Sequence, residues 1–279
     1  MLIKVIVENQ TVLPALRAVH GLSLYIEAGG HKILFDVGPD DSILHNAPIM
    51  GVDLSAVDML LLSHAHFDHT GALGLFLEQN KKAPVYGAKK IIGQYYAESE
   101  NSLEYIGLPE ELKNNDRLLL IEKYQKICEG LELFCLDMTP GRYPTQANNA
   151  LRELCEDRYM PDRFMHEQSL LVAEGDRRFL FTGCAHGGIC NIIQKAEVLS
   201  DGYVDWVIGG FHLHNPQSGT MEDENLIRTI ADELADRPTR YLTCHCTGYG
   251  AYQVLKEVLG DNIEYISAGY TTILSLQPS

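Results

Sequence analysis

Apolar residues recur along this chain in short blocks separated by polar turns, and the spacing alternates between the strand period of two and the helix period of 3.6. Residues 2–8, 22–28 and 31–36 read as strands, 40–50 as a helix and 57–63 as a buried strand, with a helix over 70–80 and a short strand at 84–87. Residues 88–165 break the rhythm. They mix helix-compatible stretches (89–100, 149–156) with strands at 117–122 and 131–136 and a turn-rich run at 139–144. A hairpin over 169–173 and 178–182, joined by Glu174-Gly175-Asp176, restores the pattern. A helix at 187–200, a strand at 203–209, a helix at 222–236 and a strand at 240–244 follow. No tract rich in Pro, Gly or Ser divides the chain. The expectation is one domain over 1–279, α/β in class, with a cap or insertion at about 88–165.

The chemistry concentrates where the 57–63 strand ends. Residues 64–69 read His-Ala-His-Phe-Asp-His, four metal-capable side chains in six positions. On an extended chain, side chains at i and i+2 point the same way, so His64 and His66 can grip one cation. Asp68 and His69 lie past the strand, where the chain turns toward a second. Imidazole and carboxylate ligands suit zinc or iron at a site that keeps one position open for water.

Composition narrows the partner. The chain has 22 Lys and Arg against 38 Asp and Glu, a net charge of −16. A phosphate backbone is bound by clustered cations, so nucleic acid is a poor match. The charge is uneven: residues 81–165 carry 12 basic and 14 acidic side chains, the remaining 194 residues 10 and 24. A small anionic metabolite fits the middle segment, as does a solvated cap with interspersed charges. No apolar run approaches the length of a membrane span, and the N-terminal apolar stretch is short for a signal peptide. Seven scattered cysteines suggest a reducing, cytoplasmic setting.

The hexad, with Lys32-Ile33-Leu34-Phe35-Asp36-Val37-Gly38 before it and Phe179-Leu180-Phe181-Thr182-Gly183 and Thr243-Cys244-His245-Cys246-Thr247-Gly248 after it, resembles the metallo-β-lactamase-fold superfamily. Gly21-Leu22-Ser23, the run from Thr182 to Asn191, Gly209-Gly210-Phe211-His212-Leu213 and His245-Cys246-Thr247-Gly248 resemble a branch labelled dihydropterin-methyl-ribofuranosylaminobenzene-phosphate synthase.

The resemblance implies an αββα sandwich (α/β, four layers) and a zinc pair, with iron or manganese as alternatives. It implies a metal-dependent hydrolase in which Asp68 orients water; a pterin-type transferase and a non-catalytic metal-binding protein stay open beside it. Asp36 would fix the ligand loop by accepting hydrogen bonds. His245 matches the family's last metal histidine. Cys184 stands where the family has a bridging Asp, either as a thiolate ligand or as a small buried hydrophobe. His186 lies within reach of the same centre. His166, one hairpin before Cys184, matches the family's third histidine by interval, with Glu167 as the adjacent candidate if the register is off by one and a polar residue at a strand entry as the other reading. His212 would face the pocket as an acid–base group, with His214 turned away.

Overall fold

Two seven-stranded sheets stand face to face. The computed structural model describes residues 1–137, 142–216 and 218–274; residues 139–141 of the turn-rich run lie outside them. One sheet runs Thr271–Ile273, Leu2–Val7, Ser23–Ala28, His31–Phe35, Met59–Leu61, Val85–Ala88, Leu118–Ile121 in space. The other runs Ile263–Tyr265, Arg240–Thr243, Trp206–Gly209, Arg177–Phe181, Ser169–Glu174, Leu131–Phe134, Tyr124–Cys128.

The period-two pattern sorts side chains into layers. Ile33, Phe35, Met59 and Leu61 meet Leu133, Leu170, Phe179, Phe181, Ile208 and Leu242 between the sheets. The alternate residues Leu34 and Leu60 face outward onto the helices Ser42–Ile49 and Leu73–Gln79. Likewise Leu180, Val207 and Tyr241 face Ile189–Ser200, Glu224–Ala235 and Tyr249–Leu259. Three apolar cores thus separate four layers, the expected αββα sandwich.

The middle segment is built differently from its sequence reading. Leu118–Ile121 and Leu131–Phe134 join the main sheets, while Tyr95–Glu98, Leu103–Tyr105, Leu151–Cys155 and Arg158–Pro161 form a separate four-stranded sheet. The 89–100 stretch is a 3-10 turn followed by a strand, because Gly93 interrupts it and Tyr95 and Ala97 are buried in alternation with Tyr96 and Glu98. The 149–156 stretch is also mostly strand, since Leu151–Cys155 pairs with Tyr95–Ala97 on one side and Arg158–Pro161 on the other. Cross-strand pairing outweighed helix propensity in both places. The 70–80 helix is two short helices, Phe67–Thr70 and Leu73–Gln79. Tyr249–Leu259 and two C-terminal strands lie where the sequence reading places nothing, although Ala251, Val254, Leu255 and Leu259 carry the helical spacing.

Candidate metal centre

Apart from His166, which lies just before Ser169–Glu174, the ligand candidates sit where strands of the sandwich end. Met59–Leu61 delivers the hexad, Arg177–Phe181 delivers Cys184 and His186, Trp206–Gly209 delivers His212, and Arg240–Thr243 delivers His245. These loops pack closely because glycine stands at Gly183: a Cβ there would lie 2.1 Å from Ser63 Oγ and 3.2 Å from His64 Nδ1.

Asp36 organises the first half. It occupies the left-handed region, φ 61°, which turns its carboxylate under the hexad; Asp tolerates this better than most residues. Its Oδ1 accepts from the Ser63 N–H at 2.6 Å and its Oδ2 from Ser63 Oγ at 2.6 Å. His69 Nδ1 donates to the same Oδ2 at 2.7 Å. Because the Ser63 hydroxyl proton goes to Asp36, His64 Nδ1–H must donate to Ser63 Oγ at 2.8 Å. Both imidazoles therefore point Nδ1–H away from the centre and turn Nε2 toward it; the His69 Nε2 keeps its proton until a cation displaces it.

The second half repeats the device. His186 Nδ1 donates to Asn148 Oδ1 at 2.9 Å, and Asn148 Nδ2 returns a bond to the His186 carbonyl, which fixes the amide's orientation. His245 Nδ1 donates to Asn9 Oδ1 at 2.9 Å, while its backbone N–H is held by buried Glu8. Glu167 accepts the N–H groups of His186 and Gly187 at 2.7 and 2.8 Å. Asn9, Ser63 and Asn148 carry no sequence motif of their own, and only the fold reveals them; Glu167, the sequence alternative to His166 as a ligand, instead holds the turn that carries His186.

The inward atoms gather in two groups. Asp68 Oδ2, His69 Nε2, His245 Nε2 and Cys184 Sγ form one; His64, His186 and Cys184 form the other, with His66 next to His64 and Asp68. In the first group, His69 Nε2 lies 3.2 Å from His245 Nε2 and 3.2 Å from Cys184 Sγ, and Asp68 Oδ2 lies 3.1 Å from His245 Nε2 and 3.5 Å from His69 Nε2. A tetrahedral ion with bonds of about 2.0–2.1 Å to nitrogen sets its ligands roughly 3.3 Å apart, so the spacing fits a zinc-sized ion. In the second group, the Nε2 atoms of His64 and His186 are buried without a hydrogen-bond partner. Buried polar atoms are rarely left so, and a cation satisfies both. The donors present therefore fit two metal positions that share Cys184.

The Metallo-beta-lactamase superfamily model matches residues 16–153. A solved metal-dependent hydrolase of the beta-lactamase superfamily superposes over 99% of both chains, with a TM-score of 0.80 and 26% identity. This chain belongs to the metallo-beta-lactamase superfamily. A relative from Methanocaldococcus jannaschii, 7,8-dihydropterin-6-methyl-4-(beta-D-ribofuranosyl)-aminobenzene-5'-phosphate synthase, is 28% identical over 266 residues, covering 90% of this chain and 88% of its own. Zn(2+)-bound PqqB from Methylobacterium extorquens shares the fold, with a TM-score of 0.61 and 13% identity.

Within this superfamily member, His166 is placed differently from its sequence expectation. Its Nδ1 accepts from the Ala65 N–H at 3.1 Å, so its Nε2–H donates to Asp162 Oδ2 at 3.0 Å. Neither nitrogen keeps a lone pair for an ion at the two positions. His166 belongs to a third buried group with His66 and Asp162, and His186 stands at the corner expected for it. His212 lines the cavity beside His186, ring centroids 4.0 Å apart, with both ring nitrogens unpartnered. His214 is half-buried in a two-residue strand opposite Met221. His20, from an otherwise unremarked loop, brings Nε2 to 3.3 Å from Asp68 Oδ2.

Electrostatics match ligand duty. Burial, reinforced by neighbouring imidazoles, lowers His64 and His186 well below the usual histidine value. Burial likewise takes His245 down to about 4 and His212 to about 3. His69 is the exception: burial opposes its charge, yet Asp68 and Asp36 outweigh it and push the ring up to about 10. Burial and the neighbouring Cys246 raise the Cys184 thiol well above its ordinary range, so it becomes a thiolate only when a cation takes the proton's place.

Proposed function

We propose that this protein is a metal-dependent hydrolase that attacks a small anionic metabolite with water activated at a pair of metal ions, zinc being the best fit. The observation that carries this reading is the convergence of Nε2 atoms from His64, His69, His186 and His245, each with Nδ1 tied to a partner on the far side, on Asp68 and Cys184. His64, His66 and His186 would hold one ion, Asp68, His69 and His245 the other, and Cys184 would touch both. Such ions, when bound, lower the pKa of water toward neutrality and stabilise negative charge developing on the substrate.

The chain's own residues supply the rest. Asp68 is exposed to the cavity on one side, where its free carboxylate edge orients the attacking water and accepts its proton. His212, neutral at pH 7 and lining the same cavity, hydrogen-bonds the substrate through its unpartnered ring nitrogens. Phe67, Ile106 and Leu151 line the cavity beside the donors and keep bulk water from competing. No helix among the described residues is long and apolar enough to cross a membrane. The free cysteines suit a reducing, cytoplasmic site of action.

One observation favours a second reading. The Methanocaldococcus jannaschii relative matched along 90% of the chain is named a synthase, which supports group transfer in pterin chemistry. Both readings are tested by loading the metal-free protein with zinc, manganese or iron and offering phosphodiesters, thioesters, lactones and pterin phosphates. Hydrolysis that is lost in His64→Ala and His245→Ala supports the first; turnover only when an acceptor other than water is present supports the second.

A further inference from the structure

A second cavity adjoins the metal centre, and His186 lines both. In a chain of net charge −16, this one is lined by Arg142, Arg152 and Arg163. Its lining carboxylate, Asp162, is already held by His166 Nε2 and by the Phe164 N–H at 2.7 Å. Each arginine has a carboxylate partner, Arg142 with Glu233 at 2.9 Å, Arg152 with Glu98 at 2.5 Å, and Arg163 with Glu153, while Arg142 also donates to Gln194 and Arg152 Nη1 to the Asn149 and Leu151 carbonyls. Ion pairs at a protein surface are weak, and a guanidinium has donors enough to keep such a partner while binding a second anion.

Two further features point to a ligand. The twelve-residue helix Ile189–Ser200 opens at Gly188, which lines this cavity with φ 89° and gives the helix no side-chain cap. The Gly188 N–H is itself taken by the Ala185 carbonyl at 2.9 Å, so what the helix brings to the cavity is the positive end of its dipole, which favours an anion nearby. Independently, Thr145 lines the cavity and is 8% exposed, and its Oγ1 is buried without a hydrogen-bond partner. An oxyanion accepting from that hydroxyl and from the guanidiniums would satisfy them together, beside the positive end of the helix.

We infer that the cavity bounded by Thr145, Arg142, Arg152, Arg163 and Gly188 is a phosphate-binding subsite, which anchors the phosphate monoester of a substrate whose reacting bond lies at the metal pair across His186. This rests on the metal pair being the reacting centre, and it assigns the anchor to residues that take no part in holding the ions. A monoester dianion fits better than a carboxylate, because three guanidiniums and the Thr145 hydroxyl offer more donors than two oxygens can use.

The test uses inorganic phosphate as the probe, titrated calorimetrically into the zinc-loaded and the metal-free protein. The expected result is saturable binding in both forms, weakened at least tenfold by Arg152→Gln and by Arg142→Gln, with zinc content unchanged and acetate a poor competitor. If the arginine variants fold badly, Thr145→Val removes only the hydroxyl and should still weaken binding several-fold. Phosphate binding that vanishes with the metal and ignores all three substitutions would place the anion on the ions and overturn the subsite, as would no binding at all. Hydrolysis of an uncharged aryl ester by the zinc-loaded protein reports separately on the metal pair, so failure of the hydrolase reading is distinguishable from failure of the subsite.

Discussion

Asp36 Oδ2 lies 2.7 Å from His69 Nδ1, and both groups are fully buried. The contact decides which nitrogen of His69 keeps its proton when a cation takes the other, and through Ser63 the same carboxylate decides it for His64. One side chain that touches no ion thus sets the tautomer of a histidine at each metal position.

Asp36→Asn should therefore weaken both positions. Partners of this kind are worth about 10–100-fold in metal affinity. Competition with a chromophoric chelator should show that loss at both steps, with a far-ultraviolet circular dichroism spectrum like that of the parent. Loss confined to one step would mean that Asp36 acts only on His69.

Cys184 gives a spectroscopic prediction. A thiolate on the ion should give cobalt-loaded protein an intense charge-transfer band in the near ultraviolet, and Cys184→Ser should abolish it. Cys184→Asp should recover binding with an oxygen ligand. An Asp variant that binds no better than Cys184→Ala would exclude Cys184 from the ions, leaving a buried carboxylate with nothing to pair it.

The metal-free protein should be labile to acid. Burial lowers His64, His66, His186, His212 and His245. A lowered imidazole holds fewer protons folded than unfolded, so protonation favours unfolding. The loss begins as pH falls through about 6.5, the ordinary histidine value, and continues to about 3, where folded His212 itself protonates. His69 has the opposite sign: its contribution is complete below about 6.5 and is lost as pH rises through about 10. Across pH 7 to 5 the lowered group dominates. Urea midpoints that stay flat over that interval would contradict this.

Glu167 bridges two backbone N–H groups beneath His186. Glu167→Ala should strand both, at roughly 1–3 kcal/mol for each unsatisfied buried group. Urea unfolding measures the cost, which should appear without metal as well as with it. A cost seen only in the metal-loaded form would mean that Glu167 acts on the ion rather than on the turn.

The sequence revealed most where function and local pattern coincide. Four ligand-type side chains in six positions after an apolar strand point to a metal site, because strand geometry alone puts His64 and His66 on one side. Period-two alternation by itself likewise separates Leu34 from Ile33 and Phe35. Tyr95 and Leu151 show the limit: their strands exist because they pair with each other, across more than fifty residues of chain, and no local window contains that. His166 shows another. Its interval from Cys184 suits a ligand, but Asp162 and the Ala65 N–H occupy its two nitrogens, and only the fold brings those partners to it. Asn9 and Asn148 are ordinary polar residues in sequence, and their role is set wholly by what they face.

The two proposed metal positions would draw ligands from both halves of the chain: His64 to His69 from the end of a strand in one sheet, Cys184, His186 and His245 from strand ends in the other. An ion held there bridges the sandwich, and the unfolded chain has no equivalent place for it. Mass action then ties conformational stability to free metal, adding about 2.7 kcal/mol when the ion is at a hundred times its dissociation constant. Heat resistance should for that reason depend on the metal buffer as much as on the polypeptide, and a chelator should act as a denaturant of this protein without touching a single apolar contact.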